Sequence, residues 1–245
     1  MLHIHSDDYG YKNYTDKKII QLLKKNRIKS VSVISNMVQD GSIKMLYKQS
    51  SKYPDIQIGL HLNLIEKKSL DGKQYIPSLV NKKGFLFPLP IFLILNTLKR
   101  INPDHIRREI EKQIDFLTEN GLKVSFIDSH QHTHAFSPVA EIVTQVASEK
   151  GIPQIRTYNR IRTFTLIAKI KYRLLKLAAY FSHYITYGKL DLPVTWKGNG
   201  KTQYSIMSCE GGGLDVLKLK SDSLVLVTHP YLPFDSNKSY IWTLI

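Results

Sequence analysis

"NPDHIRREIEKQIDFLTENGLKVSFIDSHQHTH", residues 102–134, holds a helix, a strand and a cluster of ligand-type side chains in a single run. Ile106, Ile110, Ile114 and Leu117 recur at spacings of three and four, which is the stripe of an amphipathic helix, and Gly121 stands just beyond its expected end. "KVSFIDSHQHTH" then reads as a strand that finishes in polar residues. A helix feeding a strand that ends in imidazoles is the repeating unit of an α/β fold. In such folds, sites gather where strands end and loops begin.

The alternation continues on both sides. "MLHIHS" predicts a short strand, and "TDKKIIQLLKKNRI" a helix with Thr15 as its N-cap. "SVSVISNMV" and "DIQIGLHLNLI" read as strands, "SPVAEIVTQVASEKG" as a helix, and "PQIRTY" and "SLVLVTHP" as the last strands. This order predicts a mainly parallel sheet, arranged either as a barrel or as a doubly wound layer. The longest apolar run, "GFLFPLPIFLILNTL" (84–98), carries two prolines and falls short of the roughly 20 residues that span a bilayer. It reads as a buried or lid segment.

Composition sets the outer bounds. With 245 residues, 42% hydrophobic and 22% charged, the chain can form one sizeable α/β domain over residues 1–245. A net charge of +15 is compatible with nucleic acid, an anionic membrane or an acidic substrate, and does not choose among them. The single cysteine, Cys209, excludes an internal disulfide and suits a reducing compartment; it reads as a small buried residue rather than a nucleophile. His3, His5 and Asp7 arrive too early for a hydrophobic leader, so a cytoplasmic protein is expected.

Four strand ends carry the chemistry. "SDDYG", "GLHLNL", "DSHQHTH" and "THP" would bring Asp7, Asp8, His61, His130 and His229 to one rim, and imidazoles clustered with carboxylates are donors for a metal. The opening "MLHIHSDDYG" admits two readings. The ligands are either His3-x-His5, on one face of a strand, or the Asp7-Asp8 pair in the loop that follows.

These four motifs, in this order, resemble the YdjC-type carbohydrate deacetylases, which include the chitooligosaccharide deacetylases, from residue 1 to about residue 235. The resemblance implies a (β/α) barrel-like domain, one divalent cation, and removal of the acetyl group from an N-acetylated sugar, whether oligosaccharide or lipid-linked. It implies Asp8, His61 and His130 as metal ligands and Asp7 as the base. Two imidazoles and a carboxylate suit zinc, and magnesium, manganese and cobalt are compatible with the same set. His229 is the candidate to protonate the leaving nitrogen or steady the oxyanion. His132 and His134 share a face with His130 if the strand continues, where they would orient ligands or contact sugar hydroxyls. Arg156, after a Pro-x-Ile step, is expected to contact substrate.

Two other readings compete. "HIHSDDYG" and "DSH" also resemble PHP-type metal-dependent phosphoesterases, whose multinuclear sites need further glutamate and histidine ligands; here Glu66 is the only nearby acid. The carboxylate pair is therefore favoured, with His3 and His5 as inner strand residues. A non-enzymatic reading rests on residues 151–190, which hold eight Lys/Arg and no acid. A basic helical insertion at about 158–190 would suit the surface of an anionic membrane better than nucleic acid. Relatives of this type continue through a further helix and strand after the "HP" strand. This chain has 15 residues after Pro230, so either a lost C-terminal element or a truncated chain is expected.

Overall fold

A computed structural model describes residues 2–163, 166–197, 203–208 and 224–228. Seven parallel strands close into a barrel: β1 (Leu2–Tyr9), β2 (Ser30–Val33), β3 (Gln57–Leu62), β4 (Val124–Ser129), β5 (Gln154–Thr163), β6 (Gln203–Ser208) and β7 (Leu224–Thr228). Each strand pairs with the next, and β1 also pairs with β7 in the register His5↔Val227. That last pairing separates a barrel from a doubly wound sheet, and local periodicity cannot encode it. His229, Pro230 and Cys209 lie outside the described residues.

Helices α1 (Asn13–Lys24), α2 (Asp40–Lys52), α3 (Leu89–Thr97), α4 (Pro103–Glu119), α5 (Val139–Glu149), α6 (Leu166–Tyr187) and α7 (Val194–Lys197) form the described remainder of the frame. α4 buries the expected stripe of Ile106, Ile110, Ile114 and Leu117. Its first turn is closed by Asn102, whose side chain accepts from the Asp104 N–H at 2.9 Å. Thr15 does not cap α1. The helix begins at Asn13, and Thr15 is buried inside it, while the next residue, Asp16, accepts the Gly10 N–H at 2.7 Å and fastens the β1–α1 turn. α2 and β6 carry too few apolar residues in sequence to announce themselves. α2 buries only Ile43 and Leu46 among its aliphatics.

The apolar core lies between the outer strand faces and the helices, and the barrel interior holds a polar layer resting on Phe126. The Phe126 ring meets His5 edge-on at 5.2 Å. Its Cα partner across the sheet is Gly59, where an added Cβ would fall 2.0 Å from the ring. Gly59→Ala should therefore displace the phenyl group and destabilise the fold by about 1–3 kcal/mol, the usual cost of overpacking. Chemical denaturation checks this; an unchanged midpoint would mean that the ring has room to yield.

Candidate active site

The site begins with an irregularity in β1. Between Ser6 and Tyr9 the register against β2 slips, so that Asp7 and Asp8 together oppose one β2 residue. Asp8 sits at φ 64°, the left-handed region that aspartate tolerates better than most residues. The bulge breaks the alternation that would send neighbouring side chains to opposite faces. Both carboxylates end up buried, and they face different partners.

Asp8 meets two imidazoles: its Oδ1 is 3.1 Å from His61 Nε2 and 3.0 Å from His130 Nδ1. Donor atoms of Asp8, His61 and His130 all lie within 4.8 Å of one another, and these residues could hold a cation. Each comes from the end of a different strand. The donor set fits a divalent ion, and His130 Nε2 is buried with no hydrogen bond, its nearest acid being Glu66 Oε1 at 3.5 Å. His61 Nδ1 is 2.6 Å from Asp128 Oδ1, the carboxylate–histidine pairing that orients metal-binding imidazoles. Burial disfavours the His61 imidazolium, but Asp128 and Asp8 on either side more than offset it and raise its pKa to about 10. A cation must displace that proton. Its apparent affinity should accordingly rise about tenfold per pH unit between roughly pH 7 and 9, as calorimetric titration would show; a flat profile would place the metal elsewhere.

Asp7 faces the barrel interior. Arg156 donates to it twice, from Nη1 to Oδ2 at 2.9 Å and from Nη2 to Oδ1 at 2.6 Å, and Nη2 also lies 2.8 Å from Asp128 Oδ2. His5 bridges Asp7 Oδ1 at 2.7 Å and Ser30 Oγ at 2.7 Å, while Ser32 Oγ stands between His5 (3.3 Å) and His61 (3.1 Å). Burial alone would push the Asp7 carboxyl up. The Arg156 guanidinium, with His5, overcomes this and holds it well below the usual carboxylate range. Asp128 is depressed in the same way, against its burial, by Arg156 and then His61.

Five of the eight site residues expected from sequence, Asp7, Asp8, His61, His130 and Arg156, thus meet in one buried network. Arg156 is 1% exposed, with its guanidinium on the two acids inside the barrel. His132 and His134 do not share a face with His130, because the strand does not continue. β4 ends at Ser129, and residues 130–135 form a 3-10 turn with Gln131 (φ 48°) and His132 (φ 60°) in left-handed conformations. Ser129 Oγ accepts the His134 N–H at 3.1 Å and bonds the His134 ring as well, while His134 Nε2 donates to the Arg156 carbonyl at 3.0 Å. Burial lowers the His134 pKa to about 4, so the ring is neutral and serves as a strut between β4 and β5. His132 lies half-buried beside Tyr158 Oη (3.2 Å) and Tyr172 (5.7 Å between rings). Asp128 was missed in the sequence, although it stands two residues before His130 on the end of β4. Tyr11, whose ring lies 5.8 Å from that of His130, carried no sequence signal.

A family model described as "YdjC-like protein" matches residues 1–233. The chain belongs to the YdjC-like family. Among curated relatives, a carbohydrate deacetylase of Thermoanaerobacter pseudethanolicus is 26% identical over 153 residues, covering 61% of this YdjC-like chain and 57% of that protein. A carbohydrate deacetylase of Xenopus laevis is 30% identical over 155 residues, covering 62% and 49% respectively. The matched stretch thus spans about half to three-fifths of the curated relatives' length. Among solved structures, an Enterococcus faecalis V583 protein named for cellobiose-phosphate cleavage superposes with TM-score 0.59 at 20% identity, over 96% of this chain and 82% of that one. At that identity the likeness speaks for the YdjC-like barrel alone.

Proposed function

We propose that this chain is a metal-dependent hydrolase that removes the acetyl group from an N-acetylated sugar, with zinc or magnesium as the resident cation. The observation that carries this reading is the division of the aspartate pair: Asp8 joins two strand-end imidazoles, while Asp7, one residue away, is held ionised beside them. The deacetylase names of the matched relatives favour the same chemistry. A divalent cation held by Asp8, His61 and His130 supplies a more acidic water and a polarised amide carbonyl.

The chain's own residues do the rest. Asp7 takes the proton from the attacking water on a carboxylate oxygen, a transfer typically worth about 10²–10⁴-fold. Arg156 and His5 keep that carboxylate charged and fixed, although burial alone would protonate it. Asp128 holds His61 in one orientation. The buried Phe126 ring packs edge-on against His5 and holds that imidazole in place beside Asp7. His229 is assigned to the departing nitrogen on the strength of its place after β7, and His132, half-buried beside Tyr158, to the sugar hydroxyls. Cleavage of the C–N bond then yields acetate and the free amine.

One observation favours the phosphoesterase alternative: His5, Asp7 and Asp128 form a second group whose ligand atoms lie within 4.8 Å of one another. Arg156 argues against it, because its guanidinium already contacts both carboxylates and a second cation there would meet a fixed positive charge. Metal analysis separates the readings. One equivalent per chain is expected, largely unchanged in His5→Ala apart from lost stability. Two or more equivalents that fall on loss of His5 would shift the assignment to phosphate ester hydrolysis. Acetate release from a panel of N-acetylated sugars tests the activity, and a chain that releases none from any of them overturns the proposal.

A further inference from the structure

Surface helices usually bury one apolar face and present polar residues on the other. α6 departs from this pattern. Its inner face is packed: Tyr172, Ala179, Ser182 and His183 are buried, Ser182 Oγ accepts the Ser137 N–H at 3.1 Å, and Tyr172 reaches His132 at the barrel mouth. The opposite face is apolar too, and exposed. Leu166, Ile170, Leu174, Leu177, Phe181 and Tyr184 recur at spacings of three and four, and Leu174 is 61% exposed. At 3.6 residues per turn these six fall on one stripe, turned away from the buried one. Lys169, Arg173 and Lys176 border the stripe on one side and Lys171 on the other, all of them exposed.

α3 packs against α6 and has the same character. Phe92 and Asn96 face inward, whereas Ile91, Ile94 (59% exposed) and Leu98 (63% exposed) form a second outward stripe that runs into exposed Lys99 and Arg100. Neither helix contains an aspartate or glutamate. No helix among the described residues is long and apolar enough to cross a membrane.

We propose that the outer faces of α6 and α3 dock on an anionic membrane surface, with the apolar stripes at the headgroup–acyl boundary and the flanking cations on lipid phosphates. Two features choose this occupant. Aliphatic side chains bordered by Lys and Arg match a layer that is apolar beneath an anionic plane, and the long cationic side chains can reach the plane while the stripe is buried. A second copy of the chain fits poorly, because a two-fold contact between identical faces would set cations beside cations with no acid on either helix. The stripe is also mostly aliphatic, so it offers little for nucleic-acid bases to stack on.

The test uses the full chain and phosphatidylcholine vesicles with and without phosphatidylglycerol, read by co-sedimentation. Binding is expected only to the phosphatidylglycerol vesicles, and it should weaken in high salt. Leu174→Gln/Phe181→Gln leaves the charge of +15 untouched and alters two exposed positions, so the fold should be retained by circular dichroism. This double variant should weaken partitioning about tenfold or more, as should Lys169→Glu/Lys176→Glu. Binding that survives the apolar double variant would show mere attraction of a basic protein and overturn the proposal. Failure to bind overturns it too. So does a concentration-dependent dimer, abolished by Leu174→Gln/Phe181→Gln, in a chain that ignores vesicles. None of these measurements reads acetate or metal, so their failure leaves the deacetylase reading where it stands.

Discussion

Arg156→Met should destabilise the fold by about 3–5 kcal/mol, the cost of removing one partner from a buried ion network. The guanidinium lies on both Asp7 and Asp128, and all three side chains are essentially buried. Its loss leaves burial as the dominant influence on two neighbouring carboxylates, so at least one must take up a proton in the folded state. The sign of the pH dependence follows. In the native chain both folded pKa values lie below their unfolded values, so their stabilisation is present above about pH 4 and is lost as pH falls through the folded values. In the variant, a folded pKa raised above the unfolded one reverses this, and stability declines as pH rises from about 4. The gap between the two proteins should therefore widen from pH 4 to 7 in urea titrations. Asp128→Asn in the Arg156→Met background should recover part of the loss. A gap that does not change with pH would mean that Arg156 acts through packing alone.

Asp7→Asn and Asp8→Asn should fail in different ways. Asp7 touches Arg156 and His5 and is not among the three residues grouped around Asp8, so Asn at position 7 should leave the cation bound and lower turnover about 10²–10⁴-fold. Asn at position 8 removes the carboxylate that contacts both His61 and His130, and it should weaken metal binding by about 10-fold or more. Metal content and acetate release, measured on the same preparations, separate the two effects. Equal metal loss in both variants would show that the pair acts as one ligand set and would remove the assigned base.

The repeat of strand and helix could be read from the sequence because it rests on local periodicity. The stripe of α4 and the polar strand ends at Asp7, His61 and His130 each follow from a few neighbouring residues that must bury one face. The strand-end rule brought five residues to one rim, and the family resemblance singled out among them the three now grouped within 4.8 Å. Long-range closure decided what lay beyond it. Pairing of β1 with β7 made the sheet a barrel, and that pairing joins segments more than 200 residues apart. Inside the barrel Arg156 is the counterion of Asp7 and Asp128, a pairing that joins β5 to β1 and β4 and that no local pattern encodes. The 3-10 turn at residues 130–135 parted His132 and His134 from His130, because the Ser129 and His134 side chains form hydrogen bonds in place of a continued strand ladder. The sequence determined which residues carry donors and on which strand ends they stand. The tertiary structure determined which way each donor points, because direction depends on a bulge in β1, a turn after β4 and a partner from β5, all set by contacts between distant segments.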